Sequence, residues 1–413
     1  MNLAIISPEF PPATNWGGIA TFNENLAELI SNLGHKVKVI TYAGDGAKAS
    51  ITKKGNVEIH SIKFEKERSW EFLIFRFLRF LLTILFKDIL ADTIFMLDWN
   101  FYSYRYFKRL ILTQKIDIIH TDSYHRSAII IRWKYRDIPL VTHLQGPESL
   151  LNRYQAFSLN SYIKGELEKI YLSTCPTLVV ACSEQLRDWF RRLNPKKWGS
   201  ALYIPNFINV RFFENPTELN INRLVYLGRL EFRKGVDLAL DAFIKLARAN
   251  KYQKIWFIGE MTDTFPYGGK YISFSTLLKN KRLAPEIKRR ITIVPEITNR
   301  QIMVKTLKKL RGVAVLPSRY EPFGFTLIEM MAMGYVVVNM RSDANSQIIK
   351  DSVNGFTADV GAESLSITLQ KIIECSPAKL KTITIQAVDT VKKHYDIKCT
   401  QILNAYRKIY SSI

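Results

Sequence analysis

Residues 312–334 read GVAVLPSRYEPFGFTLIEMMAMG, and this stretch decides the fold. Residues 313–316 are continuous and apolar, which is the pattern of a parallel strand covered on both faces. Residues 318–324 form a loop, because Pro322 and Gly324 interrupt both the strand and the helix pattern, and residues 326–333 then have the pattern of a helix. A buried strand, a sharp loop and a helix in this order predict an α/β fold with a parallel sheet.

The loop before this helix combines a phosphate site with two acids. Backbone N–H groups at a helix N-terminus, here in residues 323–326, form a ready site for phosphate. Glu321 lies in the loop, and Glu329 follows eight residues later on the helix. Because a carboxylate repels phosphate, we expect these acids to accept hydrogen bonds from hydroxyl groups. The predicted ligand therefore carries both phosphate and sugar.

The Glu-x7-Glu pattern inside PSRYEPFG and LIEMMAMG resembles the signature of the retaining GT-B glycosyltransferases, often called family 4. The resemblance covers nearly the whole chain. It implies an α/β fold with two Rossmann-like, doubly wound parallel-sheet domains that face each other across a cleft. It also implies that Glu321 contacts the donor sugar and that Glu329 binds the ribose hydroxyls of a nucleoside-diphosphate sugar.

Length and charge narrow the class of protein further. The 413 residues favour two domains, and 59 Lys and Arg against 37 Asp and Glu give a net charge of +22. This balance predicts an anionic partner, and the lack of zinc-finger or RNA-binding patterns argues against nucleic acid. The four cysteines fit neither a CxxC motif nor a disulfide framework, so we expect core thiols in the reducing cytoplasm. The first strand begins almost at Met1, which predicts no signal peptide.

The order of strands and helices predicts the domain boundaries. An opening βαβ pattern starts a doubly wound sheet, and the IPNF stretch ending at Phe207 resembles the usual junction between the two domains. We therefore expect an acceptor-side domain over residues 1–205 and a nucleotide-sugar-binding domain over residues 206–385. Residues 386–413 are expected to form a helix that crosses back to the first domain. Residues 261–290 are expected to be an irregular connection.

Two short patterns in the first half resemble ligand-binding parts of the family. Gly17 and Gly18 follow the first strand, where the family has a glycine loop near the donor diphosphate. His143 ends a strand in VTHLQG and resembles the histidine beside the donor sugar, whereas a lone histidine is otherwise more often structural. Gln145 and Gly146 stand where acceptor-facing residues often lie. His120 and His125 match no family position and receive no role.

The second half begins with LVYLGRLEFRKG, which resembles the GR…KG motif of the family. Arg229 supplies a planar fork for phosphate oxygens, and Lys234 supplies a mobile point charge. The predicted catalytic residues are Glu321, His143, Arg229 and Lys234. The predicted donor-binding residues are Gly17, Gly18, Arg229, Lys234, Glu321, Phe323, Gly324, Phe325, Thr326 and Glu329. One departure lies in RSDANSQII, after residue 340, where the family usually has a glycine pair, and it leaves the donor sugar open.

Residues 70–87 predict an unusual helix, because WEFLIFRFLRFLLTILFK is apolar except for a narrow polar stripe that contains Arg76 and Arg79. Two arginines make this segment a poor transmembrane span. An in-plane helix with arginines near anionic lipid phosphates fits the pattern, and so does a helix packed on the first domain. The first alternative predicts a protein that is peripheral on the inner face of the membrane rather than free in the cytoplasm.

Together these patterns predict transfer of a sugar to an acceptor hydroxyl, with retention at the anomeric carbon. No Asp-x-Asp motif is present, which predicts that neither a metal nor another cofactor is needed. The acceptor is expected to be a glycan or a lipid-linked or membrane-held molecule. Three alternatives stay open, namely a non-catalytic nucleotide-sugar-binding scaffold, a sugar-nucleotide epimerase and a pyridoxal-dependent phosphorylase. The sequence leaves the base, the sugar, the linkage and the oligomeric state open.

Overall fold

The computed structural model describes residues 1–12, 17–44, 46–65, 73, 75–77, 79–80, 91–154, 159–214, 218–249, 253–267, 270–341 and 347–413. The chain forms two compact units. Unit 1 comprises Met1–Arg153, Phe157–Pro205 and Ile402–Ile413, and unit 2 comprises Tyr154–Ala156 and Asn206–Gln401. Each unit is built on its own parallel sheet.

Unit 1 alternates strands with helices. Its strands are β1 (Asn2–Ile6), β2 (Lys36–Tyr42), β3 (Ser50–Lys54), β4 (Val57–Ile62), β5 (Ile118–Asp122), β6 (Leu140–Leu144), β7 (Leu178–Ala181) and β8 (Ala201–Tyr203). Its helices before residue 206 are α1 (Gly18–Asn32), α2 (Ala91–Thr113), α3 (Ile129–Lys134), α4 (Glu148–Leu151), α5 (Leu159–Thr174) and α6 (Glu184–Leu193).

The sheet of unit 1 has a switch in strand order where ligands bind in such folds. Its order is β3-β4-β2-β1-β5-β6-β7-β8, and all neighbours are parallel except β3 and β4. The chain leaves β1 toward β2 and returns to the other side of β1 with β5. Open α/β sheets bind ligands beyond the carboxyl ends of the strands at this kind of switch. The residues that follow β1, β5 and β6 therefore lie where this kind of sheet binds a ligand.

Unit 2 repeats the pattern. Its strands are β9 (Arg223–Leu227), β10 (Lys254–Ile258), β11 (Phe265–Tyr267), β12 (Lys270–Ile272), β13 (Ile291–Val294), β14 (Val313–Leu316), β15 (Val336–Met340) and β16 (Phe356–Ala358). The helices after residue 206 are α7 (Val236–Ala249), α8 (Phe274–Asn280), α9 (Pro285–Lys288), α10 (Arg300–Lys309), α11 (Phe325–Ala332), α12 (Ala362–Glu374), α13 (Pro377–His394) and α14 (Thr400–Ser412).

The main sheet of unit 2 is parallel throughout, in the order β13-β10-β9-β14-β15-β16. β14 and β15 are buried throughout, and the continuous apolar run of β14 predicted this burial. The core of unit 2 joins the inner faces of these strands to α7 and α12. The predicted α/β fold with Rossmann-like parallel-sheet domains is confirmed.

One local prediction was wrong. Residues 261–290 are not an irregular connection, because they contain the antiparallel β11–β12 hairpin and the short helices α8 and α9. The hairpin strands have three residues each, which is too short for a clear alternating pattern. The edge pair β3 and β4 was also not foreseen, since every residue of β3 is exposed. The tail forms two helices, α13 and α14, and Ile402–Ile413 belong to unit 1.

All four cysteines are free thiols. Cys182 and Cys399 are buried, whereas Cys175 and Cys375 are partly buried. No described helix combines the length with the hydropathy needed to cross a membrane.

Candidate functional site

Two loops of unit 2, residues 228–235 after β9 and 317–324 after β14, are fixed against each other. Gly235 has φ +69°, and a Cβ atom there would clash with the carbonyl oxygen of Pro317. The backbone N–H of Arg319 donates to the carbonyl oxygen of Arg233 at 2.8 Å. The Arg319 guanidinium donates to both carboxylate oxygens of Asp237, at 2.8 and 2.7 Å. These contacts hold both loops in place before any ligand arrives.

The two loops bring together charged side chains of both signs. The Nζ of Lys234 is paired with the Oε2 of Glu321. This ion pair brings the two residues into contact, while their predicted roles in binding and catalysis stay predictions. Arg233 donates to Glu231 at 2.5 Å, and Arg229 lies 3.4 Å from the same carboxylate. We call these five residues the donor-side cluster. It holds three cations and two carboxylates, so an additional anion would be attracted to it.

The charges of the donor-side cluster shift the pKa values of its central pair. Burial opposes ionisation of Glu321, but Lys234, Arg233 and Arg229 together hold its pKa below the usual value. Burial also lowers the pKa of Lys234, and the neighbouring Arg233 and Arg229 add to that effect while Glu321 opposes it. Arg229 is the accessible cation, with half of its side chain exposed. The cluster is therefore set to accept negative charge at its open side.

The N-terminus of α11 lies at the end of the second loop. Gly324 caps the helix with φ +96°, and its carbonyl oxygen accepts from the N–H groups of Leu327 and Ile328. Among the described residues, none accepts a hydrogen bond from the N–H groups of Phe325 and Thr326. The first turn also contains no acid. These features suit an anion, as the sequence predicts.

Two further predicted residues lie along this helix. The Phe323 ring is buried and packs edge-on against Phe325 at 5.7 Å and Tyr395 at 5.8 Å, so it supports the loop. Glu329 is buried in the middle of α11. Burial raises the pKa of Glu329 to about 7, and the positive charge of Arg300 opposes this shift. Glu329 can therefore change its charge near neutral pH.

In unit 1, His143 is the penultimate residue of β6, and the strand is followed by Gln145 and the buried Gly146. The Nε2 of His143 lies 3.0 Å from the Nδ1 of His120 on β5. The Nδ1 of His143 is buried and has no hydrogen-bond partner in the described part of the chain. Burial lowers the pKa of both imidazoles, that of His120 to about 3, and His120 lowers the pKa of His143 further. Both histidines are therefore neutral at physiological pH.

His120, which the sequence left without a role, links His143 to the C-terminal helix. The hydroxyl of Tyr410 on α14 lies 3.3 Å from the Nε2 of His120. The parallel register sets His143 opposite Asp122 and His120 opposite Val141, so the two histidines are offset by two positions and share one face of the sheet. Tyr410 lies 290 positions after His120, so no local pattern could have revealed the third member.

A second group at the switch point was also missed. The carboxylate of Asp122 accepts from Ser7 at 2.8 Å and lies 2.8 Å from the Nδ1 of His125. The Nε2 of His125 lies 3.2 Å from Glu9, which follows β1. Burial opposes the charge on His125, but Asp122 and Glu9 raise its pKa to about 10. This group, unlike the His120–His143 pair, carries a buried positive charge between two acids.

The glycine pair opens α1. Gly17 is the N-cap and Gly18 is the first helical residue, and a Cβ atom at Gly17 would lie 3.3 Å from a carboxylate oxygen of Glu9. Residues 13–16 of the predicted glycine loop lie outside the described residues. The departing RSDANSQII loop is likewise undescribed over residues 342–346. Within the described chain, no cluster of three His, Cys, Asp or Glu side chains could hold a metal ion.

The predicted helix over residues 70–87 lies largely outside the described residues, but residues 73, 75–77 and 79–80 are helical. The Phe75 ring stacks on Phe101 of α2 at 4.1 Å, and Arg79 donates to Asp98 at 2.8 Å. The pairing of Arg79 with a buried acid on α2 agrees with the alternative of a helix packed on the first domain, and the alternative of an in-plane membrane helix stays a prediction. The opposite face stays exposed, with Leu73, Phe77 and Phe80 at 63%, 62% and 59% exposure.

Comparison with known proteins identifies the fold family. Residues 16–212 match the family described as Glycosyltransferase Family 4, and residues 209–388 match Glycosyl transferases group 1. The chain is a GT-B glycosyltransferase. The two matches meet at the point where the two units divide and together span residues 16–388. The prediction of a glycosyltransferase from the Glu-x7-Glu and GR…KG patterns is confirmed.

Relatives of this glycosyltransferase agree over nearly its full length. It is 25% identical to an uncharacterized glycosyltransferase of Methanocaldococcus jannaschii over 86% of this chain and 84% of that protein. Its structure resembles the sucrose-phosphate synthase of Thermosynechococcus elongatus, with a TM-score of 0.73, 18% identity and full coverage of both chains. It also resembles Anabaena HepE in complex with UDP-glucose, with a TM-score of 0.68, 16% identity and full coverage of both chains.

Proposed function

We propose that this glycosyltransferase moves a sugar from a nucleoside-diphosphate sugar to an acceptor hydroxyl, with retention at the anomeric carbon and without a metal. The contact between Lys234 and Glu321 carries the proposal. It places a cation suited to a diphosphate next to an acid suited to sugar hydroxyls, and the helix N-terminus of α11 follows directly. A ligand that has both chemical groups matches both sides of this contact.

The reaction breaks the bond between the anomeric carbon and the diphosphate oxygen through an oxocarbenium-like transition state. Negative charge grows on the leaving diphosphate, and Arg229, Lys234 and the free N–H groups of α11 stabilise it. Such preorganised charge is usually the largest contribution to catalysis. In the family that this chain resembles, attack occurs on the same face and the departing phosphate takes the acceptor's proton. We assign Glu321 to orientation of the sugar hydroxyls rather than to nucleophilic attack.

The remaining residues bind the two ends of the donor. Glu329 binds the ribose hydroxyls, and His143 of unit 1 contacts the transferred sugar. Gly17 and Gly18 allow the backbone at the start of α1 to approach the diphosphate. Gln145 and Gly146 face the acceptor. Because the Anabaena protein was solved with UDP-glucose, UDP-sugars are the first donors to examine.

We further propose that the acceptor is held at an anionic membrane, where the face of Leu73, Phe77 and Phe80 inserts. These residues are spaced i, i+4 and i+7 and so share one side of the helix. Arg76 is exposed on the same helix, and Arg105 lies 5.9 Å from the Phe101 ring, on which Phe75 stacks. Exposed apolar side chains together with cations on one helix favour anionic lipid surfaces.

The double variant Phe77→Ser/Phe80→Ser tests this membrane proposal. Each buried aromatic contributes about 1.5–3 kcal/mol, so we expect at least a tenfold loss of binding to phosphatidylglycerol vesicles in co-sedimentation. Ile385→Ser, which replaces an exposed apolar residue of α13, should bind like the wild type. Equal binding of the double variant and the control would exclude this face. A change in oligomeric state without any change in vesicle binding would instead assign it to self-association.

A donor panel tests the proposed reaction itself. The full-length protein is incubated with UDP-, GDP- and ADP-sugars, each with octyl hexosides, free hexoses or phosphatidylglycerol vesicles, and products are read by mass. We expect nucleotide release coupled to a glycosylated product, without added metal and in the presence of a chelator. Conversion of the nucleotide sugar without an acceptor would indicate the epimerase. Binding without any product would indicate the scaffold protein.

A further inference from the structure

A hydrogen-bonded chain of three neutral side chains ends at an atom without a partner. Tyr410 Oη lies 3.3 Å from His120 Nε2, and His120 Nδ1 lies 3.0 Å from His143 Nε2. All three residues are buried within unit 1. The last atom, Nδ1 of His143, is buried and has no partner among the described residues.

Both imidazoles in this chain carry a single proton. No described acid pairs with either ring, and burial keeps the pKa of each well below its usual value. A neutral imidazole has one N–H donor and one nitrogen acceptor. One hydrogen therefore lies between His120 and His143, and the direction of the whole chain fixes which nitrogen of His143 carries its proton.

Only one direction leaves a single unsatisfied group. If Tyr410 donates to His120, then His120 Nδ1–H donates to His143 Nε2, and the proton of His143 is on Nδ1. In the reverse direction the Tyr410 hydroxyl hydrogen has no acceptor, since within the described chain the hydroxyl contacts only His120, and His143 Nδ1 is an unpaired acceptor as well. A buried unsatisfied polar group costs about 1–3 kcal/mol, so the first direction is favoured.

We infer that Tyr410 and His120 are positioning residues that hold His143 as the Nδ1–H tautomer, so that this N–H donates to an oxygen of the transferred sugar. The inference rests on the proposed function for the identity of the ligand. The C-terminal helix α14 thereby sets the chemistry of a residue on β6. A neutral donor at this point binds a hydroxyl oxygen without attracting the diphosphate, which is left to the cations of unit 2.

Two observations support a ligand at this atom. His143 lies at the carboxyl end of β6, beside the switch in strand order where α/β sheets bind ligands. The Phe22 ring of α1 packs against His143 with a centroid distance of 4.7 Å, and α1 begins at the glycine pair. A hydrogen bond in such an apolar setting is stronger than one in water.

The tautomer can be measured directly by ¹⁵N NMR of the histidine-labelled, full-length protein. We expect a protonated Nδ1 and an unprotonated Nε2 for His143 in the wild type. Tyr410→Phe removes the hydroxyl that sets the direction, so we expect a mixture of both tautomers. Turnover of the nucleotide sugar should fall about tenfold, which corresponds to the loss of one hydrogen bond. UDP affinity should not change.

Tyr335→Phe is the matched control, because it removes a buried tyrosine hydroxyl that donates to Leu307 at 2.6 Å in unit 2. It should leave the His143 tautomer and the turnover as in the wild type. If Tyr410→Phe does not fold, His120→Asn provides the same test. An unchanged Nδ1–H tautomer in the variant, or a wild type protonated at Nε2, would overturn the inference. A tautomer shift in a protein that turns over no nucleotide sugar would retain the positioning role and refute the proposed function.

Discussion

The two units present contrasting polar groups near the ends of their parallel strands. The donor-side cluster of unit 2 is ionised and carries more positive than negative charge. The Tyr410–His120–His143 chain of unit 1 is neutral and directional. Charge attracts a diphosphate over a distance but selects weakly among hydroxyls, whereas a neutral hydrogen bond acts only at short range and in one direction. We propose that the cations of unit 2 hold the leaving group, while Glu321 and His143 bind hydroxyl groups of the sugar.

Removing a central cation of unit 2 should have the largest effect. In Lys234→Ala we expect turnover of the nucleotide sugar to fall by about 10²–10³, which corresponds to about 2.7–4 kcal/mol of lost transition-state stabilisation. Steady-state kinetics of nucleotide release measure this loss. Circular dichroism should show an unchanged fold.

The control for this variant is Lys245→Ala, because Lys245 is an exposed lysine of α7 paired with Glu363. It should retain full turnover, since surface ion pairs contribute little. Equal turnover in both variants would show that Lys234 has no role in the reaction. It would also contradict the proposal that the charged cluster of unit 2 stabilises the leaving group.

A smaller effect should come from the titration of Glu329. Its pKa is raised to about 7, so it is mostly protonated at pH 6 and mostly ionised at pH 8. The ionised carboxylate accepts two hydroxyl hydrogens, so donor binding should strengthen as the pH rises. If only the ionised form binds ribose, the Kd for UDP should be about tenfold weaker at pH 6 than at pH 8.

Glu329→Gln provides the comparison, because it keeps the shape of the side chain and removes its titration. Calorimetry of UDP binding should show a much flatter pH profile in this variant, while the titration of the nucleotide itself stays the same in both proteins. Identical profiles in the wild type and the variant would show that Glu329 does not control ribose binding.

The contrast between the units also explains what the sequence could reveal. The continuous apolar run of residues 313–316 predicted a buried parallel strand with the observed bounds. Lys234 and Glu321, which lie 87 positions apart, were found through family patterns and meet in the structure. Functional residues in short loops directly follow a strand that the sequence predicts. Their positions are therefore predictable as well.

The residues that were missed depend on tertiary contacts. His120 acquires its role from Tyr410, which lies on a helix at the other end of the chain, and His125 acquires its charge from Glu9 and Asp122. The helical pattern of residues 70–87 placed Arg76 and Arg79 on one polar stripe. It could not show that Asp98 pairs with Arg79. The periodicity of the sequence shows which residues share one face of a helix. It does not show which other element packs against that face.

The most direct test of the central assignment is a paired measurement on Glu321→Gln. If this acid holds the sugar while the cations hold the diphosphate, glycosyl transfer should fall by about 10² or more, comparable to the loss of an electrostatic donor. The affinity for UDP should stay equal or become tighter, because a negative charge beside the phosphate site has been removed. A loss of UDP affinity together with unchanged transfer at saturating donor would contradict this division of roles.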